Sequence, residues 1–109
     1  MATETMSPAV IEMVAKRFKA LAEPSRLSIL SELRSGELCV NEIVERTGMS
    51  QAVASKHLRI LHERGFVARR RDGVFVIYGL ADDDVFALCD LVCGRIEREL
   101  GERERAFAD

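Results

Sequence analysis

Residues 40–80 read VNEIVERTGMSQAVASKHLRILHERGFVARRRDGVFVIYGL, and this stretch decides the fold. Val40, Ile43 and Val44 recur at helical spacing as far as Arg46, and Thr47-Gly48-Met49 then breaks the pattern. Ser50 is a good N-cap for the next run, where Val53, Ala54, His57, Leu58 and Leu61 fall in helical register over about 51–64 before Gly65 ends it. Two helices joined by a short glycine-containing turn are the sequence form of a helix-turn-helix, whose second helix enters a major groove. Beyond it, Phe66–Arg71 and Val74–Leu80 are extended runs rich in Val, Phe, Ile and Tyr around Asp72-Gly73, a strong hairpin signal. The expectation is a helix-turn-helix over about 40–64 and a β-hairpin wing over about 66–80.

Upstream, Ser7-Pro8 reads as an N-cap followed by proline at the first helical position, and Ile11, Val14, Ala15, Phe18, Leu21 and Ala22 predict an amphipathic helix over about 8–22. Pro24 opens a second helix over about 24–35, with Leu27, Leu30 and Leu33 on its apolar face and Gly36 as its stop. Downstream, acidic residues from Asp82 suit a helix N-terminus, and Phe86, Cys89, Cys93, Ile96 and Leu100 follow at alternating spacings of three and four. That is a heptad seam on a helix over about 82–105, widened on one side by Val85, Leu88 and Val92. It carries more apolar surface than a free terminal helix leaves in water, so a second copy of the chain is its expected partner. The expected architecture is mainly α with a β-hairpin wing, in the order α-α-α-α-β-β-α. It is a single winged helix-turn-helix domain over 1–109, homodimeric through its terminal helices.

Composition sets the class. The 109 residues are 48% apolar and 31% charged with seven Gly and two Pro, enough for one core and unlike a disordered or collagenous chain. No apolar run approaches the length of a membrane span, and MATETMSPAVIEM lacks a basic leader and an apolar signal core, so no membrane partner and a cytoplasmic location are expected. Cys39, Cys89 and Cys93 match no zinc ribbon or finger and are expected as thiols. The net charge of −2 conceals a segregation. Residues 46–71 carry Arg46, Lys56, Arg59, Arg64, Arg69, Arg70 and Arg71 against Glu63 alone, between acidic ends. A local basic segment is what a phosphate backbone responds to, because neutralised phosphates release counterions.

The exposed, mostly polar set expected on the second helix of the motif is Ser50, Gln51, Ala52, Ser55, Lys56 and Arg59, with Gln51 the first base-reading candidate because Gln pairs bidentately with adenine. Arg69, Arg70 and Arg71 are candidate phosphate or minor-groove contacts, although strand alternation turns one or two of them away from DNA. No glycine-rich phosphate loop, carboxylate pair or metal cluster appears, and His57 and His62 stand beside no nucleophile motif, so no enzyme is expected. The alternative is a winged helix that docks protein without specific DNA binding, which would show a weak salt effect on any DNA association.

The ordered set FKALAEPSRLSIL (18–30), GELCV (36–40), Ser50-Gln51, Ser55-Lys56-His57-Leu58, Leu61, Gly65-Phe66-Val67, Arg69-Arg70-Arg71, Asp72-Gly73 and Tyr78-Gly79-Leu80 resembles the ArsR/SmtB family of bacterial metal-responsive repressors. The resemblance covers roughly residues 15–98. It implies a homodimeric winged helix with terminal helices at the dimer interface, bound to operator DNA with the symmetry of an imperfect inverted repeat and released by an effector. His57 matches a histidine frequent in the family's recognition helix, where it either meets a phosphate or serves local packing.

The same resemblance bears on effector sites. Where soft-metal sensors of the family carry Cys-Val-Cys, this chain has Cys39-Val40-Asn41, a poor soft-metal site in which Cys39 is the one thiol ligand; otherwise that thiol is either reactive near a helix N-terminus or an inert cap. Where zinc sensors carry Asp-x-His and His-x-x-Glu, it has Asp82 and Asp84, then Arg95 and Arg98, and the two arginines where ligands belong would repel a cation. Cys89 and Cys93, one turn apart, are either seam packing, a soft metal or metalloid clamp completed by the partner copy's pair, or oxidisable thiols. No cofactor is otherwise expected.

Overall fold

A computed structural model describes residues 5–108, with side chains described through residue 106; the first four residues of the expected 1–109 domain and Asp109 lie outside the described residues. Five helices and three strands follow in the order α1 (Pro8–Leu21), α2 (Pro24–Leu33), β1 (Leu38–Cys39), α3 (Val40–Thr47), α4 (Gln51–Glu63), β2 (Val67–Asp72), β3 (Phe75–Leu80) and α5 (Asp84–Ala108).

Local chemistry starts and stops these elements. The Ser7 hydroxyl accepts from the Val10 N–H at 3.3 Å, and Pro8 occupies the first turn of α1, where no N–H is needed. Pro24 opens α2 in the same way, but that helix ends at Leu33, earlier than expected. The chain leaves it to run extended through β1, whose two residues pair with Tyr78 and Ile77 of β3. The sheet is therefore three-stranded and antiparallel in the order β1-β3-β2, one strand more than expected. The hairpin turn is also displaced by one residue. Asp72 pairs with Phe75, which leaves Gly73-Val74 as the two-residue turn in place of Asp72-Gly73. Only Gly73, at φ +63°, takes positive φ there, as in a turn with glycine at its first central position.

Ile29, Leu30 and Leu33 of α2, Ile43 of α3, and Leu58 and Leu61 of α4 are fully buried, and Leu38, Val67 and Tyr78 close the sheet over them. Leu27, expected on the apolar face, is 40% exposed, and Ile29 is buried beside Leu30 and Leu33 instead. Val85 and Phe86 join this core from the start of α5, which corrects the expected seam. Phe86 faces the body of its own chain, with the Arg34 guanidinium 4.4 Å above its ring and Arg34 also 3.6 Å from the Asp90 carboxylate. Beyond that anchor α5 departs from the body. Leu91, Val92, Ile96 and Leu100 lie bare, as do Ile11, Met13 and Phe18 on α1. The radius of gyration, 17.2 Å, exceeds the roughly 13 Å of a compact chain this long. Among the described residues, no helix is long and apolar enough to cross a membrane.

Candidate nucleic-acid interface

α3 and α4 are set by the turn between them. Gly48, at φ +76°, caps α3 with its N–H donating to the Val44 carbonyl at 2.9 Å, a left-handed conformation that costs glycine little. The Thr47 hydroxyl donates to the Ile43 carbonyl at 2.7 Å and accepts from the Met49 N–H at 3.4 Å, and the Ser50 hydroxyl accepts from the Val53 N–H at 3.2 Å. α4 therefore leaves the turn in one direction, with Ala54, His57, Leu58 and Leu61 inward. Its outward face presents Ser50, Gln51, Ala52, Ser55, Lys56 and Arg59, all exposed.

His57 does not belong to that face. It is 9% exposed, and its Nδ1 accepts from Arg26 Nε at 3.2 Å while Arg26 Nη1 donates to the Ala20 carbonyl at 3.1 Å. The side chain is packed between α2 and α4, because its place in the helical register lies beside Leu58 and Leu61. Burial first, then the Arg26 charge, holds its pKa below the usual histidine range.

The wing divides its arginines by face. Cross-strand pairs put Arg69 beside Tyr78 and Arg71 beside Val76, whereas Arg70 pairs with Ile77 on the opposite face. There Arg70 Nε and Nη2 donate to the two oxygens of Glu37 at 3.2 and 3.1 Å, and Nη1 lies 3.9 Å from Asp72. Arg70 is thus held by carboxylates on the face opposite Arg69 and Arg71, the division that strand alternation leads one to expect. The same hydrogen bonds, followed by the guanidinium charge, hold the Glu37 carboxyl below the usual carboxylate range. Glu37 reaches Arg70 across Gly79, where a Cβ would stand 3.1 Å from Glu37 Cγ. Neither Glu37 nor Gly79 was found from sequence. Their only signal was a glycine inside an apolar strand, which often marks a close approach. Arg46 is paired as well, 3.8 Å from Glu32. Among the described residues, Lys56, Arg59, Arg69 and Arg71 have no carboxylate within ion-pair distance.

Cys39 borders this surface, lining a groove with Gln51, Val74 and Phe75, whereas Cys89 and Cys93 stand one turn apart on α5. Cys39 is half-buried at the N-cap of α3, where its N–H donates to the Glu42 carboxylate at 3.0 Å. Cys89 is half-buried and Cys93 exposed, both on α5. Burial pushes the Cys89 thiol up, with Cys93 and Asp90 acting in the same direction. No three His, Cys, Asp or Glu side chains gather as a metal site among the described residues, so one chain offers a soft ion two donors at most. The positions that hold zinc in the resembling sensors do not fit it here. Asp82 accepts from the Asp84 N–H at 2.8 Å to start α5, and Arg95 is tied to Glu99 at 3.3 Å.

The family model described as "Bacterial regulatory protein, arsR family" matches residues 23–69. The chain is 44% identical over 77 residues to the HTH-type transcriptional regulator NmtR of Mycobacterium tuberculosis, covering 71% of this chain and 64% of that protein. It is 41% identical over 78 residues to the cadmium resistance transcriptional regulatory protein CadC homolog of Staphylococcus aureus, covering 71% and 64%. The match thus spans less than two thirds of either curated relative. Among solved structures, the homodimeric winged helix-turn-helix DNA-binding domain Mb0332 of Mycobacterium bovis superposes with a TM-score of 0.77 at 38% identity, covering 92% of this chain and 94% of that one. The helix-turn-helix, the three-stranded winged sheet and these alignments agree, and the chain belongs to the ArsR family of bacterial regulatory proteins.

Proposed function

We propose that the chain is a sequence-specific DNA-binding transcriptional regulator that works as a homodimer and represses until an effector releases it. The observation that carries this reading is the single polar face of α4, with Gln51, Ser55, Lys56 and Arg59, beside the unpaired Arg69 and Arg71 of the wing. Gln51 and Ser55 read base edges, whereas Lys56, Arg59, Arg69 and Arg71 meet phosphates. Residues 1–109 act as one domain with no enzymatic role, in the cytoplasm. Its dimer seam is formed by α1 and the outer part of α5, where Cys89, Cys93, Ile96 and Leu100 meet the partner copy. Two-fold symmetry then places the recognition helices about one DNA turn, or roughly 34 Å, apart on an imperfect inverted repeat.

The effector acts on Cys89 and Cys93. The Staphylococcus aureus relative is named for cadmium resistance, and the thiol pair is the soft donor set this chain offers on its seam. Cys89 is held as a thiol, which slows oxidation, whereas a soft ion displaces the proton on binding. Fluorescence anisotropy with a duplex from upstream of the chain's own gene tests both halves of the reading. Binding that weakens steeply with salt, is relieved by Cd(II) or arsenite, and is retained under either agent by Cys89→Ser/Cys93→Ser is the expected result. Binding indifferent to thiol reagents would leave the cysteines as packing. Salt-independent or absent association would identify a protein-docking winged helix instead.

A further inference from the structure

The wing ends on the wrong chemistry for a purely electrostatic contact. Among the described residues Val74, at the apex of the hairpin, is the most exposed large apolar side chain at 86%, and the adjacent Phe75 is 52% exposed. The tip is narrow, because Asp72↔Phe75 is the last cross-strand pair and only Gly73-Val74 join the strands. It also lies beyond the last rung that ties the sheet to β1. β1 pairs with β3 only as far as Ile77, so the hairpin projects roughly 10 Å beyond that rung at the usual rise per residue. Arg71 lies on the projecting arm and Arg69 at its root beside Tyr78, both without carboxylate partners, on the face opposite the Glu37–Arg70–Asp72 cluster. Val74 and Phe75 also border a groove of about 260 Å³ whose other wall includes Gln51, so the apolar tip is continuous with the proposed reading face of α4.

A minor groove about 6 Å wide and 7.5 Å deep accepts a tip of this size, and apolar side chains are the usual wedges by which proteins open a base step there. We infer that Val74 and Phe75 form an apolar wedge that enters the minor groove beside each half-site and kinks the operator. Arg69 and Arg71 fix the arm to the flanking phosphates. The wing then discriminates by deformability, favouring flexible pyrimidine–purine steps such as TA under the tip, at positions where it makes no base hydrogen bond. This rests on the DNA-binding reading above and adds a specificity determinant to it.

The test uses the duplex that the wild-type chain enriches from a random-sequence pool, labelled at both ends for energy transfer. Copies carry TA or AA at the position under the wing. The wild type is expected to shorten the end-to-end distance and to prefer the TA copy. Val74→Ser/Phe75→Ser, at exposed positions and checked for an unchanged thermal melt, is expected to bind about tenfold more weakly. Its salt slope should match the wild type's, with the bend and the TA preference lost. Val74→Lys is expected to steepen the salt slope without restoring the bend. A double variant that bends DNA and prefers TA as the wild type does would overturn the wedge and leave the apolar tip to a protein partner. A wild type that enriches no duplex would overturn the DNA-binding reading itself, and the wedge with it.

Discussion

His57 shows how burial decides between two roles that a residue type leaves open. Its Nδ1 accepts a hydrogen bond from Arg26, and an acceptor cannot be protonated without losing that bond and facing a second cation. Arg26 and Lys56 lower its pKa by charge and Glu23 opposes them, but burial is the largest cause. With the folded pKa depressed, the unfolded chain takes up the proton first. The stability His57 contributes is complete above about pH 6.5 and declines as pH falls from there towards the folded value. Thermal melts between pH 7.5 and 5.5 should show this loss, and His57→Gln, which still offers Arg26 an oxygen, should flatten it. A matching argument separates the three wing arginines. Arg69→Ala and Arg71→Ala should each lower the slope of log affinity against log salt by about 1, since each removes one phosphate contact. Arg70→Ala should leave the slope unchanged, because its guanidinium is already held by Glu37 and Asp72.

At the scale of elements, Gly48 places α4. Its left-handed conformation lets α3 end and the chain turn within three residues, and a Cβ there would meet nothing within 4 Å. Gly48→Ala should therefore cost stability through the backbone alone, about 1 kcal/mol, and Gly48→Asn less, measured by urea unfolding. The helices were legible because Ser7, Pro8, Pro24 and Ser50 act through local chemistry. The core face of α4 was legible because Ala54, Leu58 and Leu61 hold one helical register. Other features depend on tertiary partners. β1 is two residues long, too short to show a period, and exists only because Leu38 and Cys39 find Tyr78 and Ile77. The turn at Gly73-Val74 lies one residue beyond the Asp-Gly signal, since only Gly73 takes positive φ there. The heptad spacing through Phe86 was correct as spacing, yet a spacing cannot say which body covers it, and Phe86 packs into the chain's own core with Arg34 over its ring. Of the polar face, Ser50, Gln51, Ala52, Ser55, Lys56 and Arg59 lie outward as helical register predicts, whereas the occupation of Arg70 depends on Glu37, a residue 33 positions away.

The whole molecule is built as a compact winged body carrying two apolar arms, and the arms connect to the reading face. Arg26 donates to the Ala20 carbonyl near the end of α1 and to His57 on α4, so a displacement of α1 is felt by the recognition helix through one side chain. Phe86 ties the root of α5 to the same core, while Ile96 and Leu100, each 49% exposed, lie beyond it. Charging that outer surface should therefore separate association from folding. Ile96→Glu/Leu100→Glu is expected to keep the helical circular dichroism spectrum and to sediment as one chain where the wild type sediments as two. Its affinity for an inverted repeat should fall by about 10²–10⁴, because the second recognition helix no longer binds at the effective concentration set by the first. Its salt slope should fall to about half, as half the phosphates are engaged. A variant that still sediments as a dimer would place the seam elsewhere on α1. A monomer with undiminished affinity would mean that a single winged body suffices for recognition.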